Sequence, residues 1–320
     1  MIDVHTHYVP RGMSTPNDGA WVRNGSMIMV GSDEFRPVGA ESWAADRRLA
    51  DMDADGVDVQ VVSPTPVFFG YERSASAATD AARRANDDAL ELCADAPRGR
   101  LRPMCQVPLQ DADAACAELS RSIDAGHVGV EIGNHVGDRD LDDAGVVTFL
   151  QHAASLGVPV FVHPWDMPSS PRLSRWMAQW LVGMPAETHL SIVAMILGGV
   201  FDRVDASLRI CFAHGGGSFP FWLGRLDNAW RRRPSLVAMS DHPPSAYLGR
   251  FYVDSVVFDE RALRLLVDTV GVDRVMVGSD YPYPLGERPA GAVVRAASFL
   301  DDAAREQIMV GNARRYLGDE

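Results

Sequence analysis

Lysine does not occur in the 320 residues, and all thirty basic side chains are arginine. A lysine amine is needed for a Schiff base, for a bound pyridoxal cofactor, for the lysine of a phosphate-binding loop and for the carbamylated lysine that bridges two metal ions. The sequence therefore excludes these four kinds of active site. Because no lysine can bridge a second ion, we expect any metal site to be mononuclear.

Cysteines and long apolar runs are also scarce. The best candidate for a membrane helix, Leu190–Phe201, is shorter than the roughly 18 residues needed and is interrupted by glycines. The first residues, Met1–His5, lack the basic and apolar regions of a signal peptide. The cysteines contain no CxxC pair and are too few for a disulfide framework; they are Cys93, Cys105, Cys116 and Cys211. We therefore expect a reduced, cytoplasmic protein with no membrane partner.

The chain has fewer basic than acidic residues. The chain has 43 acidic and 30 basic residues, which gives a net charge of −13 at pH 7. A polyanionic partner would be repelled by this charge, so we expect no nucleic-acid partner. The 47% of apolar residues and 23% of charged residues are typical of a globular protein and not of a disordered one.

Short apolar runs, each followed by a helical segment, recur along the chain, which is typical of βα units and a parallel sheet. The eight runs are Ile2–His5, Val57–Ser63, Arg102–Pro108, Val128–Asn134, Val158–His163, Arg209–His214, Phe251–Phe258 and Arg274–Asp280. Eight units close a (β/α)₈ barrel of the TIM type. We predict one barrel domain over residues 1–320, with residues 8–41 as an insertion after the first strand.

The segments between the runs have helical composition. Ser42–Ala54 ends at Asp55-Gly56, where the glycine is a plausible C-cap, and Asp80–Ala96 and Asp111–Ala125 are rich in Ala, Leu, Glu and Arg. Residues 164–208 are long enough for two helices. Extra chain after barrel strands lies where such barrels build their active sites.

Two histidines close the first predicted strand, in His5-Thr6-His7. Residues i and i+2 of a strand share a face, so both imidazoles can point to one spot in the barrel mouth. Histidine is the commonest metal ligand near neutral pH. An HxH pair is by itself a weak signal, because the two side chains could also lie at the surface or be hydrogen-bonded in the core.

Three more polar residues end later strands: His163 the fifth, His214 the sixth and Asp280 the eighth. Each alone could be a buried polar residue with a partner, or a helix N-cap. Together with the first pair they converge on one barrel mouth. Three imidazoles and one carboxylate suit a Zn²⁺-like ion, which makes His5, His7, His163 and Asp280 the candidate metal ligands. His214 is then free to act as general acid or base, a task that suits the ordinary histidine pKa of ~6.5.

Candidate substrate-binding residues have weaker signals. Arg36, in the insertion, could clamp a carboxylate with its guanidinium fork, although a surface arginine has the same spacing. Arg225, on the helix after the sixth strand, could instead form an ion pair within that helix. Aromatic side chains in the predicted βα loops could line a pocket for a flat, unsaturated substrate or could simply pack: Phe68, Trp165, Trp176, Trp180 and Tyr283.

Seven motifs occur in order along the chain. They are Asp3-Val-His-Thr-His7, Phe35-Arg-Pro37, Val107-Pro-Leu-Gln-Asp111, Gly129-Val-Glu-Ile-Gly-Asn-His135, His163-Pro-Trp-Asp-Met167, His214-Gly-Gly-Gly-Ser-Phe219 and Gly278-Ser-Asp-Tyr-Pro282. With the stretch from Met184 through Trp230, they closely resemble the α-amino-β-carboxymuconate-ε-semialdehyde decarboxylase family of the amidohydrolase superfamily. The resemblance covers nearly the whole chain.

This resemblance implies a zinc-dependent, non-oxidative decarboxylase of the kynurenine or nitroaromatic degradation routes. The four candidate ligands would hold one zinc ion, or another divalent transition metal, and His214 would activate its water. The metal-bound hydroxide would add to the conjugated substrate, carbon dioxide would leave and the hydroxide would then depart. Arg36 would grip a substrate carboxylate, and Arg225 would reach the neighbouring site of a homodimer.

Glu131 stands where members of this family have glutamine. An anion facing the barrel mouth would repel a dicarboxylate substrate unless it is protonated or paired, and it could instead orient a ligating histidine. An isomeric or less charged semialdehyde therefore stays open as the substrate. So do a metal-dependent hydrolase or hydratase acting on a related ring-cleavage product, and a metal-binding scaffold without activity.

Overall fold

The computed structural model describes residues 1–10, 21–168, 170–237 and 239–319. Its strands are β1 (Ile2–Tyr8), β2 (Trp21–Asn24), β3 (Met27–Val30), β4 (Asp33–Pro37), β5 (Val59–Pro64), β6 (Leu101–Cys105), β7 (Gly129–Gly133), β8 (His135–Val136), β9 (Arg139–Asp140), β10 (Val160–His163), β11 (Ile210–Phe212), β12 (Tyr252–Asp254) and β13 (Val275–Met276). Its helices are α1 (Ala45–Asp55), α2 (Ala75–Ala94), α3 (Ala112–Ala125), α4 (Ala144–Ser155), α5 (Met184–Leu197), α6 (Val200–Arg203), α7 (Phe219–Arg232), α8 (Pro234–Val237), α9 (Glu260–Val270), α10 (Ala292–Ala296), α11 (Asp302–Glu306) and α12 (Asn312–Leu317).

Eight strands pair side by side in the order β1-β5-β6-β7-β10-β11-β12-β13, and their pairings are parallel. The segment after β13 returns to β1, because the Val4 amide donates to the Val277 carbonyl and the Asp280 amide to the His5 carbonyl. These bonds bring the first and last strands together. The predicted TIM-type (β/α)₈ barrel is confirmed.

Side chains on each barrel strand alternate between two apolar layers. On β10, Phe161 packs inside the barrel with Val61 and Met104, whereas Val160 and Val162 pack outside it among the helices. A strand buried on both faces must be apolar on both, which explains why these strands read as continuous apolar runs. Each fully buried large apolar side chain contributes roughly 1.5–3 kcal/mol to the free energy of unfolding.

Seven of the eight barrel strands are shorter than the predicted runs, and β1 is longer than its run, Ile2–His5. His214 lies beyond the end of β11, in a tight turn over His214–Gly216, and Asp280 follows β13 after three residues of irregular chain. A residue after a strand is free of the ladder and can turn towards the barrel axis. His214 and Asp280 therefore sit on the loops at the carboxyl ends of their strands, whereas His5, His7 and His163 lie in strands.

The predicted insertion begins one residue too early, since Tyr8 ends β1. Strands β2, β3 and β4 form a separate antiparallel sheet within this segment, and residues 11–20 lie outside the described part of the chain. Helix α1 ends, as predicted, at Gly56, which has a φ of 69°. Residues 164–208 contain α5 and α6.

One helical segment differs from the expectation about membrane spans. Gln179–Leu197 has 19 residues and a mean hydropathy of 1.4, which is long and apolar enough to cross a membrane by length and composition alone. A single such helix is weak evidence for a span, because the helices of soluble proteins pass the same test. About 33% of its most apolar window is buried inside the chain.

Candidate metal centre

The two imidazoles of β1 face Asp280 across the junction that closes the barrel. The Nε2 atoms of His5 and His7 are 3.1 Å apart, and they lie 3.5 Å and 3.2 Å from Oδ1 of Asp280. Donors that bind one first-row ion at about 2.0–2.1 Å must lie roughly 3–3.5 Å from one another. The three separations therefore fit a single ion.

His163, at the end of β10, completes the group. Its ring centre lies 5.1 Å from that of His5 and 4.9 Å from that of His7, and one ligand atom from each of the four residues lies within 4.8 Å of the others. Nε2 of His163 and Oδ1 of Asp280 are buried and have no hydrogen-bond partner among the described residues. Buried polar atoms of this kind normally have a partner. A metal ion would supply it.

The far nitrogen of each ligating ring has an acceptor nearby. Nδ1 of His5 lies 2.6 Å from a carboxylate oxygen of Asp254, at the end of β12. Nδ1 of His163 lies 3.0 Å from the Pro164 carbonyl, and Nδ1 of His7 lies 3.4 Å from the Pro64 carbonyl. An acceptor at Nδ1 favours the proton there and leaves the Nε2 lone pair for a metal.

His214 lies beside the group without belonging to it. Its Nε2 is 3.7 Å from Oδ2 of Asp280, and its ring centre is 5.0 Å from that of His163. The backbone of His214 has a positive φ of 54°, which is uncommon for a residue with a side chain. The imidazole is partly open to solvent at the barrel mouth. It can therefore exchange protons with water or with a bound molecule.

The protonation states of the cluster suit metal binding. Burial lowers the pKa of His7 to about 4 and lowers that of His163 well below its usual value. Burial alone would raise the pKa of Asp280, but the adjacent His214, His7 and His5 outweigh it and hold that pKa well below its usual range. Neutral imidazoles and an ionised carboxylate are the forms that coordinate metals. Burial also lowers the pKa of His5, but Asp254 and the other nearby carboxylates outweigh it and raise the pKa overall.

Glu131, on β7, lies in the barrel wall on the Nδ1 side of His7. Its Oε1 is 3.8 Å from that nitrogen, and the side chain is fully buried. Neither of its carboxyl oxygens has a hydrogen-bond partner within the part of the chain that the structure describes. Burial, with a smaller contribution from Asp280, raises the pKa of Glu131 well above its usual value.

Tyr283, after β13, contacts the cluster, and Arg36 of the insertion contacts Tyr283. The guanidinium carbon of Arg36, on β4, lies 4.0 Å from the ring centre of Tyr283. The Tyr283 ring lies 5.3 Å from that of His7, and its hydroxyl hydrogen-bonds Thr65. Phe68 is buried in an apolar cluster with Ile28 of the insertion sheet, so it packs against that sheet.

The other predicted substrate residues lie elsewhere. Trp176 is 74% exposed, and the guanidinium of Arg175 lies over its ring. Trp180 is half-buried in the turn before α5, and Trp165 packs against Trp21 of the insertion sheet. Arg225 is exposed on α7, 6.0 Å from the ring centre of Trp222. Within one chain, the structure does not bring Trp176 or Arg225 to the cluster.

Asp254 and Asp3 were missed by the sequence analysis. Asp254 ends the seventh barrel strand, and the apolar-run-then-carboxylate pattern that marked Asp280 could have identified it. Asp3 is buried beside His5 and accepts a hydrogen bond from the Ser279 hydroxyl at 2.6 Å. Burial raises the pKa of Asp3 to about 7. The hydrogen bond between Asp3 and Ser279 links β1 to the segment that carries Asp280.

Residues 2–318 match the sequence profile of the amidohydrolase family. The chain belongs to the amidohydrolase family. A 2-amino-3-carboxymuconate-6-semialdehyde decarboxylase of Dictyostelium discoideum is 37% identical over 329 aligned residues, which cover 99% of this chain and 91% of that protein. The protein of the same name from Caenorhabditis elegans is 31% identical, with 99% and 94% covered.

A solved decarboxylase structure is similar along nearly the whole length of the chain. The 5-carboxyvanillate decarboxylase of Sphingomonas paucimobilis superposes with a TM-score of 0.85 and 28% identity, covering 99% of this chain and 98% of that one. All three relatives are named decarboxylases, and their names give two different carboxylated substrates. The predicted class of enzyme is confirmed: the chain is a metal-dependent carboxy-lyase of the amidohydrolase family.

Proposed function

We propose that this enzyme catalyses the zinc-dependent, non-oxidative decarboxylation of α-amino-β-carboxymuconate-ε-semialdehyde, or a close isomer, to aminomuconate semialdehyde. The observation that carries the proposal is the convergence of three histidines and Asp280 on one point, with His214 beside them. The two relatives that bear this decarboxylase name align along nearly the whole chain, which supports the substrate class. The reaction would belong to the kynurenine or nitroaromatic degradation routes.

A divalent ion held by His5, His7, His163 and Asp280 would activate water and polarise a bound oxygen. Decarboxylation breaks the bond between a substrate carbon and its carboxylate, releases carbon dioxide and leaves the electron pair on that carbon. One proton must replace the lost group. His214 is the residue that we assign to this proton transfer, because its Nε2 faces the cluster and its ring is open to the barrel mouth.

Arg36 is proposed to bind a carboxylate of the substrate. Its guanidinium reaches the wall of the site over Tyr283, and a guanidinium fork matches a carboxylate in a bidentate pair. The same stack on Tyr283 would hold the fork in place before substrate arrives. We propose that Phe68 and Tyr283 supply the apolar side of the pocket.

The working unit is proposed to be a homodimer. Large apolar side chains are exposed on the segment before α5, on α5 and at the start of α7: Trp176, Met177, Leu181, Val182, Leu190, Phe221 and Trp222. Helices α5 and α7 pack against each other, and exposed apolar patches on a soluble chain mark interaction surfaces. Arg225 lies on the same helix as Phe221. A second copy covering this face would bring Arg225, Trp176 and Trp180 to the partner's site.

The decisive experiment follows the loss of substrate absorbance and the release of carbon dioxide in one reaction, with metal quantified on the same sample. Equal amounts of substrate lost and carbon dioxide formed are expected. Loss of absorbance without carbon dioxide would favour the alternative, a hydrolase or hydratase that uses the same metal centre. 5-Carboxyvanillate serves as the control substrate, and faster turnover of it than of the semialdehyde would contradict the proposed substrate.

We also propose that the bound metal is zinc and that the protein is cytoplasmic. Three imidazoles and one carboxylate suit Zn²⁺, with another divalent transition metal as the alternative. Elemental analysis of protein purified without added metal identifies the ion. All four cysteines are free thiols, in keeping with a reducing compartment such as the cytoplasm.

A further inference from the structure

We propose that Asp254 is a positioning residue that sets the metal-binding tautomer of His5 and, with the same carboxylate, holds the backbone of His214 in place. This inference rests on the proposed metal site, and it does not depend on which substrate is decarboxylated. It gives a fully buried residue on the seventh barrel strand a role in joining the metal ligand set to the proton-transfer residue.

Both oxygens of Asp254 are fully engaged. Oδ2 lies 2.6 Å from Nδ1 of His5 and accepts from the His214 amide at 2.9 Å. Oδ1 accepts from the amides of Gly215 at 2.9 Å and Val256 at 3.1 Å. An ionised carboxylate only accepts hydrogen bonds, so each of these four contacts requires a donor on the other side.

The contact with His5 decides where the imidazole proton lies. Because Oδ2 of Asp254 cannot donate, Nδ1 of His5 must carry a hydrogen. The Nε2 lone pair of a neutral ring then points at the cluster, where Nε2 of His7 lies 3.1 Å away. The opposite tautomer would present an N–H to the ion and could not coordinate it.

The contacts with the turn decide where His214 lies. The His214 and Gly215 residues have positive φ angles of 54° and 62°, and their amides both point at Asp254. For a residue with a side chain, such a backbone conformation needs support from its surroundings. The carboxylate supplies that support, because losing it would leave two buried amides without acceptors.

The close approach of Asp254 to His5 depends on Gly278. A Cβ at position 278 would lie 2.8 Å from the Cβ atoms of both Asp254 and His5, which is closer than side chains pack. Glycine therefore leaves the space in which the two side chains meet. This second observation is independent of the hydrogen bonds and points to the same pair.

The test is Asp254→Asn in the full chain. In one orientation, the new amide oxygen accepts from the Gly215 and Val256 amides, and the new NH₂ group faces Nδ1 of His5 and reverses the His5 tautomer. In the other orientation, the NH₂ group faces the Gly215 and Val256 amides, which are themselves donors. We expect zinc affinity, measured by competition with a chromogenic chelator, to fall by about 10–100-fold. The visible spectrum of the Co²⁺-substituted variant should also change.

Asp227→Asn is the matched control. Asp227 is a buried carboxylate on α7 that accepts from the Ser245 amide and hydroxyl at 2.9 Å and 2.7 Å, and it contacts none of the cluster. Its zinc affinity should equal that of the wild type. Wild-type zinc affinity in Asp254→Asn would overturn the proposal.

A measurement on the wild type covers the case in which Asp254→Asn does not fold. ¹⁵N–¹H correlation spectra of the metal-free protein, at a pH where the ring is neutral, should show the His5 proton on Nδ1. A proton on Nε2 would overturn the inference. Neither readout uses substrate, so failure of the decarboxylation assay with normal zinc binding would reject the proposed function and leave this inference standing.

Discussion

The guanidinium of Arg36 lies over the ring of Tyr283, 4.0 Å from its centre, and that ring lies 5.3 Å from the ring of His7. An arginine from the insertion sheet is thus carried to the rim of the barrel and held one aromatic ring away from a candidate metal ligand. The candidate metal site, the Tyr283 ring and the Arg36 guanidinium therefore follow one another in that order. This order suits a substrate with a carboxylate at each end.

Metal removal should abolish activity. The four candidate ligands present donors with the separations that one ion requires, so we expect one divalent metal per chain and full recovery when one equivalent is restored to chelator-treated protein. Elemental analysis and activity are measured on the same sample. Two ions per chain would contradict the mononuclear site.

His214→Asn should retain the metal and lose turnover. His214 lies outside the four-residue group, so its loss leaves the ligands intact, while the loss of a general acid–base group typically reduces kcat by about 10²–10⁴-fold. Metal content and kcat are compared with those of the wild type. His152→Asn is the control, because His152 lies on α4 and contacts the Ser120 hydroxyl, and its kcat should not change. Unchanged kcat in His214→Asn would remove it from the mechanism.

Arg36→Ala and Arg225→Ala should each be inactive alone and should regain part of the activity when mixed. In a mixed dimer, the subunit with intact Arg36 would receive intact Arg225 from its partner and form one complete site. Activity is measured after the two variants are co-refolded or exchanged. Recovery supports the proposed shared site, whereas no recovery in a verified heterodimer would contradict it.

Glu131→Gln should make the metal-free protein more stable than the wild type, and the gain in free energy of unfolding should grow as pH rises. Burial and Asp280 raise the pKa of Glu131 well above its usual value. A carboxyl group with a raised pKa in the folded state contributes stability that is fully present below its unfolded pKa of about 4.3 and is lost as pH rises towards the folded pKa. The neutral amide avoids that loss. The stability difference between variant and wild type should therefore be small at pH 4 and larger at pH 8.

Denaturant unfolding at a series of pH values measures this difference. Gln106→Glu provides the reverse experiment, because the Gln106 side chain is buried just after β6 and a carboxyl group there should lower stability as pH rises. A pH-independent difference for Glu131→Gln would show that the pKa of Glu131 is the same in the folded and unfolded states, and would contradict the prediction.

Most of the barrel could be predicted from local pattern. All eight apolar runs correspond to barrel strands because parallel strands buried on both faces must be apolar on both faces, and this requirement is visible residue by residue. The positions of His5, His7, His163, His214 and Asp280 followed from the rule that strand ends meet at one edge. The lack of lysine removed several alternative chemistries without any structure.

Other features depended on contacts between residues that are distant in sequence. Asp254 and His5 are 249 residues apart and meet only because the barrel closes. The burial of Glu131 on the Nδ1 side of His7, and the reach of Arg36 to Tyr283, likewise depend on how separate segments pack. Local sequence determined the candidate site residues and the strands that carry or precede them, since both follow from composition and alternation. The tertiary structure alone decided their partners, tautomers and pKa values, because hydrogen bonding and desolvation are properties of the space around a group.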